Sequence, residues 1–351
     1  MAGTMEKAGA GSRKRKRRCN RKQGAAAGMS SETKVARLHE RDVWPERTHR
    51  VDVVETHLSW VFLTTRHAWK LKKPGRYNAV DLRSVAARKR NCETELRLNR
   101  RLSPSVYLGV VPLTLCGDGV LRVGRSGKTV DWLLKMRRLP AGLMLDRALA
   151  RGGVQGSDIA RIVRRLSTFY RALPGAKMSG SAYHAHFLSE IARNESVLVR
   201  IMTRQSFDIR RLCGIQRAML NAMLNRLELR VAHGWIRECH GDLRPEHVCL
   251  TRPIAIIDCL EFSERLRTID TLDEVGAFSR ANASAWAPPR SELAFSMRMP
   301  RRCTIPSMRA CCISIKAFAR PFEQGWPPPI SSNPGSDVRG TGADVRWPIC
   351  S

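Results

Sequence analysis

The sequence predicts an α+β protein of two lobes, in which a small strand-rich lobe precedes a larger helical one. Short runs of β-branched and aromatic residues recur between residues 51 and 139, and one helical pattern interrupts them. From residue 158 onward the apolar residues recur at helical spacing. The chain has 351 residues, of which 43% are hydrophobic, so it can bury a core. Wholly disordered and fibrous proteins are therefore excluded.

The strand-rich lobe contains five predicted strands. Each is a short run of β-branched, aromatic or alternating residues beside turn residues, and the third and fifth stop near Pro74 and Pro140. Gly117-Asp118-Gly119 follows the fourth run and predicts a hairpin turn. The predicted strands cover residues 51–56, 60–64, 68–72, 106–115 and 131–139.

The helical predictions depend on apolar residues that recur every three or four positions. The first helix, residues 87–102, carries Leu96, Leu98 and Leu102 and stops before Pro104. Three further helices are predicted in the second lobe, at residues 158–173, 183–204 and 209–232.

Composition divides the chain into four regions. Residues 1–35 contain an unbroken basic run at positions 13–18 and are predicted to be a disordered arm, because like charges repel each other. The two lobes are assigned to residues 36–140 and 141–278. Residues 279–351 hold ten of the 18 prolines and four of the 11 cysteines. That tail is predicted to be irregular, and a shifted reading frame in the gene would produce such a composition.

The charge balance is strongly basic. Lys and Arg number 62 against 31 Asp and Glu, and +17 of the net +31 remains over residues 29–278 once the arm and the tail are set aside. Such a chain favours polyanionic partners, so nucleic acid bound through the basic arm is one alternative; no nucleic-acid-binding motif supports it. No apolar run is long enough for a membrane helix, no signal region is present and the cysteines are scattered, which together predict a cytoplasmic protein without a membrane partner.

Two aspartates carry the sharpest chemical signal. His240-Gly241-Asp242 reads as a polar loop, and the short apolar run 254–257 then ends at Asp258. In phosphoryl transfer, one aspartate accepts the proton of the attacking hydroxyl and a second one, at a strand end, holds a metal ion on the nucleotide phosphates. The structural alternative is a polar turn followed by a buried strand.

Several separated blocks resemble a known family. Residues 240–250 and 256–258 resemble the signature of aminoglycoside phosphotransferases and related kinase-like enzymes. Further blocks are similar to a bacterial subset in which such a domain can be fused to a C-terminal P-loop kinase-like domain. The resemblance covers about residues 50–278 and implies a protein-kinase-like two-lobed fold. The further blocks are residues 54–63, 69–74, 95–102, 107–112, 136–140, 258–262 and 273–274.

The resemblance implies an ATP-dependent, Mg²⁺-requiring enzyme that phosphorylates a hydroxyl of a small molecule. It implies His240 and Asp242 as catalytic-loop residues, with Asp242 as the base, and Asp258 as a metal ligand. Lys70 would reach the phosphates, with Lys72 as the second choice on the same strand face. The remaining implied residues are Glu95 as the partner of that lysine, with Glu93 as the alternative; Met136, Arg137 and Leu139 as the hinge that binds adenine; and His247 as a second metal position.

Two features depart from the family pattern. His247 stands where the usual pattern has an Asn, and imidazole is a poor ligand for Mg²⁺. No Gly-x-Gly-x-x-Gly loop precedes Lys70, and residues 56–59 stand in its place. These departures and the unusual tail motivate a rival hypothesis, a non-catalytic nucleotide-binding or inactive remnant.

Four other sets of residues have simpler explanations. Residues 124–129 resemble the end of a P-loop, but they are interpreted as a hairpin because no helix is predicted after them. A zinc site made of Cys239, His240, His247 and Cys249 fits no common ligand spacing. His184 and His186 are expected at the surface, and Asp270 and Asp273 are expected to cap the next helix.

Overall fold

A six-stranded antiparallel sheet forms the first half of the molecule. The computed structural model describes residues 29–77 and 80–283. The strand order is β1-β2-β3-β8-β6-β7, and every neighbouring pair is antiparallel. A short ladder of β4 (Arg76–Tyr77) and β5 (Val80–Asp81) stands apart from it. The strands of the sheet are β1 (Asp52–Glu55), β2 (Ser59–Leu63), β3 (His67–Lys72), β6 (Tyr107–Leu115), β7 (Leu121–Val123) and β8 (Lys128–Arg137).

The two faces of this sheet are covered by different helices. Trp69 and Leu71 of β3 point into a core that includes Leu38 and Trp44, from the segment before the sheet. Ala68, two residues before Lys70 and one before Trp69, lies on the opposite face with residues of α2 (Val85–Arg100). Side chains that alternate between faces along β3 therefore separate a structural face from the face that forms the site.

The folded part of the chain begins earlier than the sequence predicts. Helix α1 (Ser31–Leu38) is capped by the Ser30 hydroxyl, so residues 31–35 are helical and their assignment to a disordered arm is wrong. Lys34 is buried, and its Nζ donates to Asp131 Oδ2 at 2.8 Å. Arg88 of α2 donates to both oxygens of the same carboxylate, each at 2.8 Å. Residues 1–28 lie outside the described part of the chain.

The second half is mainly helical, as the sequence predicts. Small ladders of β9 with β12 and of β10 with β11 lie among its helices. These elements are α3 (Leu145–Ala150), α4 (Gly156–Ala172), α5 (Gly180–Ile201), α6 (Ser206–Ala222), α7 (Leu224–Ala232), β9 (Ile236–Glu238), β10 (Val248–Cys249), β11 (Ala255–Ile256), α8 (Glu264–Arg267), β12 (Thr268–Asp270) and α9 (Thr271–Ala283). The mixed helical and antiparallel architecture predicted from the sequence is confirmed.

Three sequence predictions are corrected by these elements. The single helix over residues 209–232 is two helices, because the chain turns at Met223 and α7 packs back on α5. No glycine or proline marks this turn, so packing overrides the local pattern. Residues 279–283 belong to α9 and are not irregular; the tail from residue 284 onward lies outside the described residues. Residues 124–127 do not form a hairpin, because β7 and β8, which they connect, pair with opposite sides of β6.

Among the helices of residues 29–77 and 80–283, none combines the length and the apolar character that crossing a bilayer requires.

Candidate functional site

A cleft of about 1000 Å³ is lined by residues of both halves. Its walls include apolar side chains of β1, β2 and β3 on one side and the segments 242–247 and 257–262 on the other. Seven of the residues predicted from the sequence line it: Lys70, Met136, Arg137, Leu139, Asp242, His247 and Asp258. The structure thus brings together residues that lie up to 188 positions apart in the chain.

The loop that carries Asp242 is held in place by one carboxylate of α9. Glu274 is buried, and its Oε1 accepts from the Gly241 amide at 2.6 Å while its Oε2 accepts from the His240 amide at 3.2 Å. The hydroxyl of Tyr170 also donates to Glu274, at 2.7 Å. Gly241 has φ +84°, and a Cβ there would lie 2.7 Å from the Cβ of Arg267, so only glycine fits this turn.

His240 is completely buried beneath this loop. Its Nε2 donates to the carbonyl of Ile257 at 2.8 Å, and its Nδ1 accepts from the amide of Asp242 at 3.3 Å. Because Nδ1 accepts, the neutral ring carries its proton on Nε2. Burial lowers the pKa of His240, which keeps the ring neutral. These bonds tie the Asp242 loop to the segment that leads to Asp258, so the geometry fits a positioning residue that does not touch a substrate.

The stability of the protein should depend on pH because His240 is buried. Protonating His240 is harder in the folded than in the unfolded chain, so stability should be lost as pH falls below the ordinary value of 6.5. The loss attributable to this residue should not exceed about 1.4 kcal/mol per pH unit. Urea unfolding at about pH 7.5 and about pH 5.5 measures it. His240→Gln keeps an N–H donor but does not titrate, so it should lose less stability than the wild type over this interval; equal losses would contradict the assignment.

Asp242 lines the cleft beside Arg244. The Nε of Arg244 lies 3.6 Å from Asp242 Oδ2. The backbone of Asp242 is fixed by two contacts, since its amide donates to His240 and its carbonyl accepts from His247 Nδ1 at 2.8 Å. The carboxylate is therefore oriented by its backbone and remains able to accept a proton.

Asp258 faces the cleft from an unusual backbone conformation. Its φ is +62°, a conformation that is strained for a residue with a Cβ and that is found most often at functional sites. Its Oδ1 lies 2.6 Å from Lys70 Nζ, and its amide donates to the hydroxyl of Tyr107 at 3.0 Å. Burial alone would raise the pKa of Asp258, but the positive charge of Lys70 outweighs it and holds the pKa well below its ordinary range.

Lys70 and Lys72 lie on the same face of β3 and share one carboxylate. Glu95 of α2 places Oε1 2.8 Å from Lys70 Nζ and Oε2 2.5 Å from Lys72 Nζ. Lys72 is completely buried and also donates to Glu261 at 2.6 Å, whereas Lys70 reaches the cleft and Asp258. Burial would lower the pKa of Lys70, but Asp258, Glu95 and Glu261 raise it well above its ordinary value. Lys70 is therefore the charged lysine at the cleft, and Lys72 joins the sheet to the segment after Asp258.

The alternative partner Glu93 is not brought to this cluster. It lies on the exposed side of α2, where its Oε1 is 3.7 Å from Lys89 Nζ. Lys70, Lys72, Glu95, Asp258 and Glu261 form the charge cluster of the site, and this cluster has one more negative than positive charge.

The segment predicted to bind adenine lies at the end of β8. Met136 pairs with Ala68 of β3, and the strand ends at Arg137, where Met136, Arg137 and Leu139 all line the cleft. Val54, Val61 and Ile257 add apolar walls near them. A flat, apolar heterocycle would fit between such walls.

Asp258 and His247 are the two residues placed to share a cation. His247 Nδ1 donates to a carbonyl, so in the neutral ring Nε2 carries the lone pair. That nitrogen lies 3.6 Å from Asp258 Oδ2 and accepts from Arg244 Nη2 at 3.2 Å, a bond that a bound ion would have to replace. Within residues 29–77 and 80–283 no three His, Cys, Asp or Glu side chains cluster as a metal centre, so any further ligands would have to be phosphate oxygens and water. This donor set fits an ion held jointly with a nucleotide.

The zinc alternative does not fit the geometry of its four residues. Cys239 directs its Sγ at the carbonyl of Ile269, and both His240 nitrogens are used in bonds to the backbone. His184 and His186 are half-buried on α5, where His184 Nε2 lies 2.9 Å from Asn221 Oδ1. Asp270 does cap the helix that follows it, since its Oδ1 accepts from the Leu272 amide at 2.9 Å.

Sequence reasoning did not give a role to Glu261, Glu274 or Tyr107. Glu274 has backbone amides 33 and 34 residues earlier as partners, and no sequence pattern marks such contacts. For Glu261 the sequence did contain a signal. It is a carboxylate three residues after Asp258, and this short separation places it near the same site. Tyr107 begins β6, and only the pairing of strands brings it beside Asp258.

The known proteins similar to this chain in sequence are uncharacterized. No family model matches the chain. Uncharacterized proteins of Mycobacterium tuberculosis and Mycobacterium bovis are 28% identical to it over 242 residues, which is 64% of this chain and 44% of theirs. The chain thus spans less than half the length of these curated relatives.

Solved structures of a glucosamine kinase show a weak likeness in shape. One, in crystal form A, has a TM-score of 0.33 at 13% identity, and another, in complex with glucosamine, ADP and inorganic phosphate, has a TM-score of 0.36 at 12% identity. Each alignment covers 79% of this chain and 64% of the other.

Proposed function

We propose that this protein is an ATP-dependent phosphotransferase of the aminoglycoside phosphotransferase-like, kinase-like type, which phosphorylates a hydroxyl of a small molecule. One observation carries the proposal. Lys70, Asp242 and Asp258 come from three separate segments, and all three line one cleft large enough for a nucleotide. The three side chains supply the groups that phosphoryl transfer needs: a cation for phosphate, a base and a metal-binding carboxylate.

The cleft suggests how a nucleotide would be bound. The apolar walls near Met136 and Leu139 would take the base, and the Lys70 ammonium, held by Glu95, would bind phosphate oxygens. Residues 56–59 line the cleft between β1 and β2, where backbone and hydroxyl groups could bind phosphate. The Thr56 amide donates to the Ser59 carbonyl at 2.8 Å, which makes this a tight turn without a glycine-rich loop.

The reaction requires that one proton and one phosphoryl group change partners. The Asp242 carboxylate would accept the proton of the acceptor hydroxyl as its oxygen forms a bond to the γ-phosphorus. The bond between that phosphorus and the β,γ-bridging oxygen breaks, and ADP leaves with the electron pair. Lys70 would stabilise negative charge on the phosphate oxygens, because a preorganised cation in a shielded cleft interacts more strongly than one in water.

Asp258 and His247 would hold the divalent ion. When bound, that ion supplies positive charge to the phosphate oxygens and fixes their orientation. Since Lys70 occupies Oδ1 of Asp258, the oxygen that faces His247 is the one available to the ion. Imidazole is a poorer ligand for Mg²⁺ than an amide oxygen, so His247 in this position would weaken Mg²⁺ binding relative to an Asn.

Thermal denaturation with ATP tests the nucleotide proposal. ATP with a divalent ion should raise the melting temperature, because a ligand that binds only the folded state stabilises it. Lys70→Ala should greatly reduce this shift. Lys135→Ala, which removes a lysine from the opposite face of the same sheet, is the matched control and should leave the shift intact.

Lys72→Ala separates the two lysines of β3. Because Lys72 is buried between two carboxylates, its loss should lower the melting temperature of the ligand-free protein by leaving Glu261 without this cation and Glu95 with Lys70 alone. Its effect on the ATP-induced shift should be smaller than that of Lys70→Ala. An undiminished shift in both lysine variants would contradict the nucleotide site.

A further inference from the structure

A second cavity, of about 910 Å³, lies in the helical half. Its wall is mostly apolar and includes Tyr183, and its polar lining residues are Lys177, His186, Ser189, Glu238, Glu264, Arg265 and Thr268. It shares no lining residue with the nucleotide cleft. An apolar cavity with a few convergent polar groups is typical of a small-molecule site.

The two carboxylates that line this cavity differ in their partners. Glu238 Oε1 accepts from Arg267 Nη2 at 2.6 Å, and its Oε2 lies 3.2 Å from Arg101, so Glu238 offers little negative charge to a ligand. The Glu264 side chain is 78% exposed and lies 3.9 Å from the same Arg267.

The basic side chains of the cavity are differently placed. Arg265 donates to His186 Nδ1 at 2.6 Å and to the Ser189 hydroxyl, two neutral acceptors that leave its charge largely uncompensated. Only Glu190, 3.8 Å away, approaches it as an anion, and Glu190 also approaches Arg193. Within the described residues no carboxylate pairs with Lys177, which is exposed. The cavity itself is lined by two cations, Lys177 and Arg265, and by two carboxylates, Glu238 and Glu264, of which Glu238 is already paired with Arg101 and Arg267.

His186 adds a neutral donor to this set. Arginine can only donate, so the Nδ1 that receives its hydrogen bond is unprotonated and the neutral ring carries its hydrogen on Nε2. The guanidinium, the ammonium and the imidazole N–H are thus all hydrogen-bond donors. The cavity is complementary to an anionic oxygen group.

The cavity adjoins the catalytic loop. Glu238 lies four residues before Asp242, a distance that an extended chain limits to about 14 Å. The segment from Glu261 to Thr268 lines the nucleotide cleft at its start and the second cavity at its end. Arg267, one residue before the end of this segment, packs on Gly241, where an added Cβ would lie 2.7 Å from the Cβ of Arg267. A molecule of sugar size could be bound in the cavity and extend toward Asp242.

We propose that this cavity binds the anionic group, a carboxylate or a phosphate, of the hydroxylated acceptor. The proposal rests on the phosphotransferase function and narrows its substrate class.

The test compares ligands that differ only in charge. Glucose, glucuronate and glucose 6-phosphate share a hydroxylated ring, and inorganic phosphate is the minimal anionic probe. Thermal denaturation without ATP should show a rise with the charged probes and none with glucose. Arg265→Gln and Lys177→Gln should each weaken the apparent affinity for the charged probes about tenfold, the usual effect of losing a charge-assisted hydrogen bond. Arg200→Gln is the matched control, since Arg200 is exposed on α5 outside the cavity.

The outcomes separate this proposal from the phosphotransferase function. Equal shifts with glucose and the charged probes, no shift with any charged probe, or shifts that Arg265→Gln and Lys177→Gln leave unchanged would overturn the anion subsite, whatever ATP does. A charge-dependent shift that both variants reduce would support it. If that shift appears while ATP produces none, the cavity binds anions but the phosphotransferase function fails. Glucuronate against glucose 6-phosphate then identifies which anionic group is preferred.

Discussion

Asp242→Asn is expected to lower turnover about 10²–10⁴-fold while ATP binding stays nearly normal. Asparagine keeps the shape of the side chain and its hydrogen bonds, but it cannot accept the proton of the attacking hydroxyl. The backbone of residue 242 is fixed by His240 and His247, so the substitution should not displace the loop. The measurement is phosphoryl transfer from labelled ATP to a panel of hydroxylated small molecules, with ATP binding followed by thermal denaturation.

Asp258→Asn is the matched comparison, because it makes the same chemical change at the other aspartate. It removes the charge that faces Lys70 and His247, so it should weaken metal-dependent ATP binding as well as turnover. If the wild type transfers no phosphate and both variants bind ATP equally, the catalytic assignment fails. A non-catalytic nucleotide-binding protein would then be the better description.

Glu274→Gln is expected to destabilise the protein by about 1–3 kcal/mol and to reduce turnover strongly. The buried glutamate accepts from two backbone amides and from Tyr170, and the glutamine amide would turn a donor toward at least one of them. Each buried donor left without a partner costs about 1–3 kcal/mol. The melting temperature should fall by about 2–12 °C, the usual shift for this free energy in a domain of this size.

Two variants serve as controls for Glu274→Gln. Tyr170→Phe removes one of the three donors together with its need for a partner, so it should cost much less and leave the loop amides bound. Glu246→Gln changes an exposed glutamate near the same loop, which pairs with Arg244 at 3.1 Å, and should change stability by less than about 0.5 kcal/mol. If Glu274→Gln behaves like Glu246→Gln, Glu274 does not hold the loop.

The sequence predicted the elements whose signals are local. The strands around Lys70 and the helix with Glu95 have clear periodicity and clear ends, so their positions differ from the structure by only one or two residues. The spacing of Asp242 and Asp258 was also local, because both flank one small ladder, β10 with β11. Short connections of this kind leave a motif few alternative arrangements.

The features that the sequence did not predict depend on distant contacts. Lys70 and Lys72 share a strand face, so the local pattern does not distinguish them. They differ because Glu261, 189 residues after Lys72, binds Lys72, which is the buried one. The turn at Met223 exists because α7 packs against α5, although its residues are good helix formers. Residues 31–35 looked like part of a basic arm. In the structure the Lys34 ammonium forms an ion pair with Asp131 of β8, and this contact fixes helix α1 against the sheet.

The position of Glu274 also sets the order in which the site is completed during protein synthesis. A ribosome adds about 5–20 residues per second, so Glu274 is made about 2–6 s after Asp242. During that interval the amides of His240 and Gly241 have only water as a partner, even though Lys70, Glu95, Asp242 and then Asp258 have already been synthesised. The newborn chain therefore carries the reactive side chains of the site before it carries the residue that orients them, and activity should appear last, as a single late event of folding.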